Sequence, residues 1–244
     1  MISSLFNAAF YNPIYNTLVA FVALVPGSDA GVAVILVTII IKLILLPFSL
    51  SSARTQRTMK TLEPKIKELK EKHKDNKEKE ALETLALYRE AQVNPFANIL
   101  TVFIQIPILL ALYWVFSAEQ FSAINTARLY AFTPIPGTVS LEFLGLISIA
   151  GKSMMLAVLA GITQFLQAHM ALSGTMKPSG DKSTQSDFQK IMGMQLKYVF
   201  PFLIATISYT TSGAVALYFI TTNLAGALQE WHIHRTIVAE QIEV

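Results

Sequence analysis

The stretch "VTIIIKLILLPF", Val37 to Phe48, sets one lysine in an otherwise apolar run, with no acid nearby in sequence to neutralise it. Outward from it, apolar residues extend from Ala30 to Leu50, enough for a helix crossing a bilayer core of roughly 30 Å. At about 1.5 Å of rise per residue, Lys42 sits about 18 Å from Ala30 and about 13 Å from Ser51. That is too deep for snorkelling to the headgroups to account for it fully. A lysine near the middle of a span costs about 2.5–3.5 kcal/mol, and such residues generally face a protein interior or a water-filled cavity. The run therefore predicts a membrane helix whose lysine has a function.

The composition agrees. Of 244 residues, 53% are hydrophobic and 14% charged, with a mean hydropathy of +0.49; a soluble domain is about a quarter charged. With no cysteine, the chain has no disulfide, thiolate metal site, cysteine nucleophile or lipoprotein anchor. Its first residues, "MISSLFNAAFYNPIYNTL", carry neither a basic segment nor a small-residue cleavage pattern, and are not read as a cleaved signal peptide.

Five apolar stretches are long enough to be read as spans, which predicts an all-α integral membrane protein. Residues 1–29 form an external N-terminal segment with an interfacial helix at Ile14–Val25. Transmembrane helix 1 covers 30–52, with Pro47 in its last turn. A cytoplasmic helical hairpin follows at 53–94, and helix 2 covers 95–117, with Asn94 as cap and Pro95 in its first turn. An external loop at 118–152 leads to helix 3 at 153–172 and a cytoplasmic loop at 173–196, loop-like in composition. Helix 4 at 197–212, helix 5 at 213–231 and a cytoplasmic tail at 232–244 complete the chain.

Charge sets the orientation. Eleven of the nineteen Lys and Arg lie between Arg54 and Arg89. With the N-terminus outside, the cytoplasmic side receives sixteen basic residues and the outer side only Arg128 and Lys152. In the first loop, Leu62, Ile66 and Leu69, then Leu82, Leu85 and Tyr88, recur at helical spacing around the turn signal "KDNK" at Lys74–Lys77. This reads as an antiparallel helical hairpin with a solvated, charged surface.

No Asp or Glu lies inside a span to pair with Lys42. The spans do carry neutral polar residues: Thr38; Asn98, Thr101 and Gln105; Gln164 and Gln167; Thr221, Thr222 and Asn223. Singly, each reads as an interhelical hydrogen bond worth about 0.6 kcal/mol. Together with an unpaired lysine they read as a hydrated cavity, because water satisfies an ammonium that no carboxylate reaches. A carboxylate 4 Å from that ammonium gains about 4 kcal/mol at an effective dielectric of 20, so an acidic peptide can pause there at little net cost.

Several stretches, in order, resemble the YidC/Oxa/Alb family of membrane protein insertases. They are "YNPIYN" (Tyr11–Asn16), "TIIIKLILLP" (Thr38–Pro47), "LEPKIKELKEKHKD" (Leu62–Asp75) and "ETLALYREAQVNPF" (Glu83–Phe96). "FIQIPILLALYWVF" (Phe103–Phe116), "LAGITQFLQ" (Leu159–Gln167) and "SGAVALYFITTNL" (Ser212–Leu224) complete the set. Lys42 stands where most bacterial members carry arginine; the charge is kept and the bidentate fork lost. The resemblance implies five transmembrane helices around a hydrophilic groove open to the cytoplasm and sideways to lipid. It implies insertion of client membrane proteins without nucleotide hydrolysis or cofactor. Client-binding residues would be Lys42, Thr38, Gln105, Asn98, Thr101, Gln164, Tyr218, Phe219 and Asn223. Implied partners are newly made membrane proteins and the lipid bilayer, with the Sec translocon, ribosome and signal recognition particle components as further candidates; no nucleic acid is read directly.

Three other functions compete. A small-solute or ion transporter or channel wants paired intramembrane charges, a polar path or an inverted repeat, and the sequence shows none. An enzyme wants reactive constellations that the spans lack; His232 and His234, two apart, fall on different faces of a helix, so no metal site is expected. A chaperone that shields clients without moving them is not separable from an insertase by sequence.

Overall fold

The computed structural model describes residues 2–93, 97–118, 124–173 and 193–242. Its helices are α1 (Ile2–Phe6), α2 (Asn12–Leu24), α3 (Ala30–Thr61), α4 (Glu63–Lys72), α5 (Lys77–Glu90), α6 (Ala97–Ala118), α7 (Met154–Ser173), α8 (Phe200–Thr210) and α9 (Gly213–Ile242). The expected cap and first turn of the second span, Asn94 and Pro95, lie outside the described residues, as does most of the loop expected at 173–196.

Two described helical stretches are long and apolar enough to cross a membrane, Ala30–Thr55 and Met154–Leu172, with Phe103–Phe116 a shorter apolar stretch. Five spans were expected. α8 has 11 residues of regular α-helix, preceded without a break by the π-helical turn Gln195–Val199. In α9 the polar run Thr221–Asn223 and the pair Gln229–Glu230 dilute the apolar character. Pro47, expected in the last turn of the first span, lies well inside α3, which continues past 52 to Thr61. Proline removes one helix bond, but backbone with no water to turn to keeps the rest.

The chain forms two compact units, Ile44–Ile106 and the remainder, Met1–Leu43 with Pro107–Val244. In the first, α4 and α5 pack on each other through the turn at 73–76. Asn76 caps α5 by accepting from the Lys79 amide at 2.9 Å, and His73 Nε2 lies 3.0 Å from Glu83 Oε2. Leu62 and Ile66 are buried, whereas Leu82 and Leu85, read as the inner face of the second arm, are exposed.

The larger unit is organised by the segment between α6 and α7, expected as an external loop. It contains a small antiparallel β-hairpin, β1 (Glu142–Phe143) and β2 (Ile147–Ser148), and an isolated parallel bridge between Asp29 and Ser140, both departures from all-α structure. Asp29, buried, fastens this hairpin to α3. Its Oδ1 accepts from the Gly31 and Val32 amides at 2.7 and 3.0 Å, and its Oδ2 from the Leu144 amide at 2.7 Å. The first two bonds satisfy orphan donors of the helix N-terminus. The backbone adds Ala30 to Ser140 and Ser140 to Ser28, each at 2.9 Å. At the other end, Gly213 and Ala214 of α9 donate to Gly151 and Ile149 at 2.8 and 3.1 Å. Gly213 has to be glycine, because a Cβ there would lie 2.9 Å from Ile149 Cα. α7 begins three residues after Gly151, so α3, α7 and α9 all start from one short platform.

α2, expected to lie in the interface, buries one face: Ile14, Tyr15, Leu18, Val19 and Val22. Its Asn16 is fully used. The amide donates to the Asn12 and Arg128 carbonyls at 2.8 and 3.0 Å and accepts from the Tyr130 amide and Thr133 hydroxyl at 2.7 Å each. α9 is buried from Ala214 to Phe219, almost all round, and is the central helix of this unit.

Asp29→Ala removes a cap worth about 0.5–2 kcal/mol and the hairpin latch with it. Hydrogen exchange should quicken in peptides covering 140–149 and the first turn of α3, with the middle of α7 unchanged. Unaltered exchange in both would show that the carboxylate is not the fastener.

Candidate functional site

The inward row of α3 reads Ala30, Val34, Thr38, Lys42, each four residues from the next. The first three are fully buried; Lys42 is partly exposed, and no residue from Ile39 to Ser51 is buried. Close packing around α3 therefore lapses after Thr38, about 12 Å from the start of the helix, resuming only at Ser52, and the row's next side chain is the lysine. Among the described residues Lys42 makes no hydrogen bond or ion pair. The Thr38 hydroxyl donates to the Val34 carbonyl at 2.7 Å, the back-bond that lets threonine sit in an apolar helix.

α7 and α9 start from the same platform as α3, so depth can be compared by counting residues. Gln164 lies about 15 Å along α7 and Asn223 about 15 Å along α9, near the level of Lys42 at about 18 Å along α3. Asn223 is buried; its amide lies 3.3 Å from both the Ala160 carbonyl and Thr163 Oγ1, tying α9 to α7. On α7 beyond this tie Gln164 and Gln167 are partly exposed. Gln167 packs where α9 has no side chain: a Cβ on Gly226 would meet Gln167 Nε2, with Cδ at 2.9 Å.

The nine residues expected to bind clients thus separate. Lys42 and Gln164 are partly open within the larger unit, whereas Thr38, Tyr218, Phe219 and Asn223 are buried. The Tyr218 and Phe219 rings, 5.5 Å apart and tilted by 58°, belong to the packed part of α9. Gln105 lies in the other unit, partly exposed and engaged by a partner. The side chains of Asn98 and Thr101 lie outside the described residues. Two residues were missed. Asp29 had a signal, an acid just before a long apolar run; Gly226 had none, since only the facing Gln167 gives it meaning. Among the described residues no three His, Asp or Glu side chains gather as metal ligands.

Gly226→Leu should weaken the α7–α9 packing by about 1–3 kcal/mol, the usual cost of overpacking, seen as a lower Tm in detergent. Gln167→Ala in the same protein should recover most of the loss. Equal Tm values for the single and double variants would show that the two do not share that space.

The model of the family described as "60Kd inner membrane protein" matches residues 21–240. A membrane protein insertase YidC of Clostridium tetani is 30% identical over 218 residues, covering 89% of this chain and 84% of that protein. One of Fusobacterium nucleatum is 32% identical over 226 residues, covering 90% of this chain and 96% of that protein. One of Francisella philomiragia is 34% identical over 205 residues, 84% of this chain but 32% of the longer relative. The matched region contains α3, the platform and both helices that carry the polar tie, and the chain belongs to the 60Kd inner membrane protein family.

Proposed function

We propose that this protein is a membrane protein insertase. Client membrane proteins enter a hydrophilic groove open to the cytoplasm, lined at mid-depth by Lys42 and Gln164, and their apolar helices leave sideways into lipid. The observation that carries the reading is the Lys42 ammonium, partly exposed and with no partner among the described residues, just past the closely packed start of α3. Membership of the family and the insertase names of its relatives support the same reading.

The mechanism needs no reacting atom. The groove holds one positive charge, and the acidic, translocating tail of a client offsets it. At 4 Å and an effective dielectric of 20 the attraction is about 4 kcal/mol, comparable to the cost of a charge near mid-membrane. A potential positive outside adds about 2.3 kcal/mol per 100 mV for each negative charge moved outward. A fourth span confined to 197–212, as expected from the sequence, favours local thinning of the bilayer, which shortens the crossing. Thr38, Tyr218, Phe219 and Asn223 act from within the packed half, holding the helices that frame the groove. In this reading five helices span the membrane, with the N-terminus outside and the hairpin of α4 and α5 in the cytoplasm. The Sec translocon, ribosome and signal recognition particle are partners to be sought there.

Lys42→Arg should sustain growth of an insertase-depleted strain, because charge without the two-pronged fork suffices. Lys42→Ala should slow insertion of clients with acidic tails about 5–30-fold, a loss of roughly 1–2 kcal/mol after screening by groove water, with neutral-tailed clients little affected. Wild-type insertion of acidic-tailed clients by reconstituted Lys42→Ala protein would show the charge to be dispensable.

A further inference from the structure

The segment joining α6 to α7 displays large apolar side chains where a water-facing loop would not. At the tip of the β1–β2 hairpin Leu144 is 62% and Leu146 83% exposed; in the preceding turn Phe132 is 83% and Ile135 62% exposed. Neither tip is slack. The Leu146 amide donates to the Phe143 carbonyl at 3.0 Å, and the Leu144 amide is held by Asp29 at 2.7 Å. Thr133, between Phe132 and Ile135, is buried with its hydroxyl 2.7 Å from Asn16 Oδ1. In both places buried polar groups fix the backbone and the flanking apolar side chains are turned outward.

The hairpin turn also carries strain. Leu144 and Gly145 have φ of 54° and 67°, the pair of positive values of a type I′ turn, whose first position favours Asn, Asp or Gly. A leucine there is unfavourable as backbone and, in water, unfavourable as exposed apolar surface. Only an apolar environment around the side chain offsets the second cost.

We infer that the two tips form a lipid-docking surface that inserts into the headgroup–acyl boundary of the leaflet in which α3, α7 and α9 begin. Position and charge both favour lipid as the occupant. Leu144 is bonded to the residue that starts α3, so its tip lies at the level where an apolar span meets the headgroups. The surface continues into the exposed first turn of α7, where Met154 and Met155 are 61% and 53% exposed. Between residues 124 and 153 the charged residues are Arg128, Lys152 and Glu142, a net positive balance that suits zwitterionic and anionic headgroups. Tyr130, its ring 5.4 Å from Phe132, has the amphipathic character of an interfacial anchor.

The absence of cysteine makes single-site spin labelling direct. Leu146→Cys and Phe132→Cys, with Glu78→Cys on the exposed surface of α5 as the aqueous control, would be labelled with a nitroxide and reconstituted in phosphatidylcholine–phosphatidylglycerol vesicles. At both tips, collision with a water-soluble nickel complex should be several-fold lower than at the control, and collision with oxygen higher. Nickel collision equal to the control would place the tips in water. Low collision with both reagents would place them against protein, whether a client, a partner or a second copy. Either result overturns the proposal.

Discussion

The Asp29 carboxylate holds the larger unit together at its start. One oxygen caps α3 and the other grips the hairpin that precedes α7 and bonds to α9. A buried carboxylate is costly unless its lone pairs are met, and three backbone amides meet them while the positive end of the α3 dipole favours the charge. Three helices thereby start at a common level. That shared origin is what gives the depths of Lys42, Gln164 and Asn223 a meaning relative to one another.

From that level the unit changes character along its length. Near the platform, small residues and valines on α3 and almost the whole circumference of α9 are closely packed. Asn223 then bridges to α7, and beyond it the side chains facing inward on α3 and α7 are a lysine and two glutamines with partial access to solvent. One end of the unit is closely packed, and the other keeps a lysine and a glutamine partly exposed. The asymmetry is what the proposed insertase reading draws on.

Burial divides the polar residues by role in a way residue type cannot. Thr38 and Asn223 satisfy their hydrogen bonds within the helices, the first to its own backbone and the second to a neighbour. Both are therefore compatible with a packed interior, and they shape the site from behind. Gln164 has the same kind of donors and acceptors but keeps access to solvent. The platform raises the complementary question, because its exposed leucines are held by buried polar groups, the reverse of the usual arrangement in soluble loops.

Much was legible in the chain because lipid imposes local rules. Apolar length, the placement of Lys and Arg and the expense of Lys42 are sums over neighbouring residues, so they predict a helical membrane protein with an unpaired cation, and the ordered motifs point to its family. The hairpin at 142–148, the reach of α3 past Pro47 and the burial of Thr38, Tyr218, Phe219 and Asn223 were not legible. The hairpin and the burial depend on residues far apart in sequence, as in the pairs Asp29 with Leu144 and Gly213 with Ile149. The amino-acid sequence by itself determined what the solvent of each segment must be, since hydrophobicity is carried by single side chains. Tertiary structure alone decided which polar groups are consumed by packing and which keep access to solvent, since that depends on what each side chain meets.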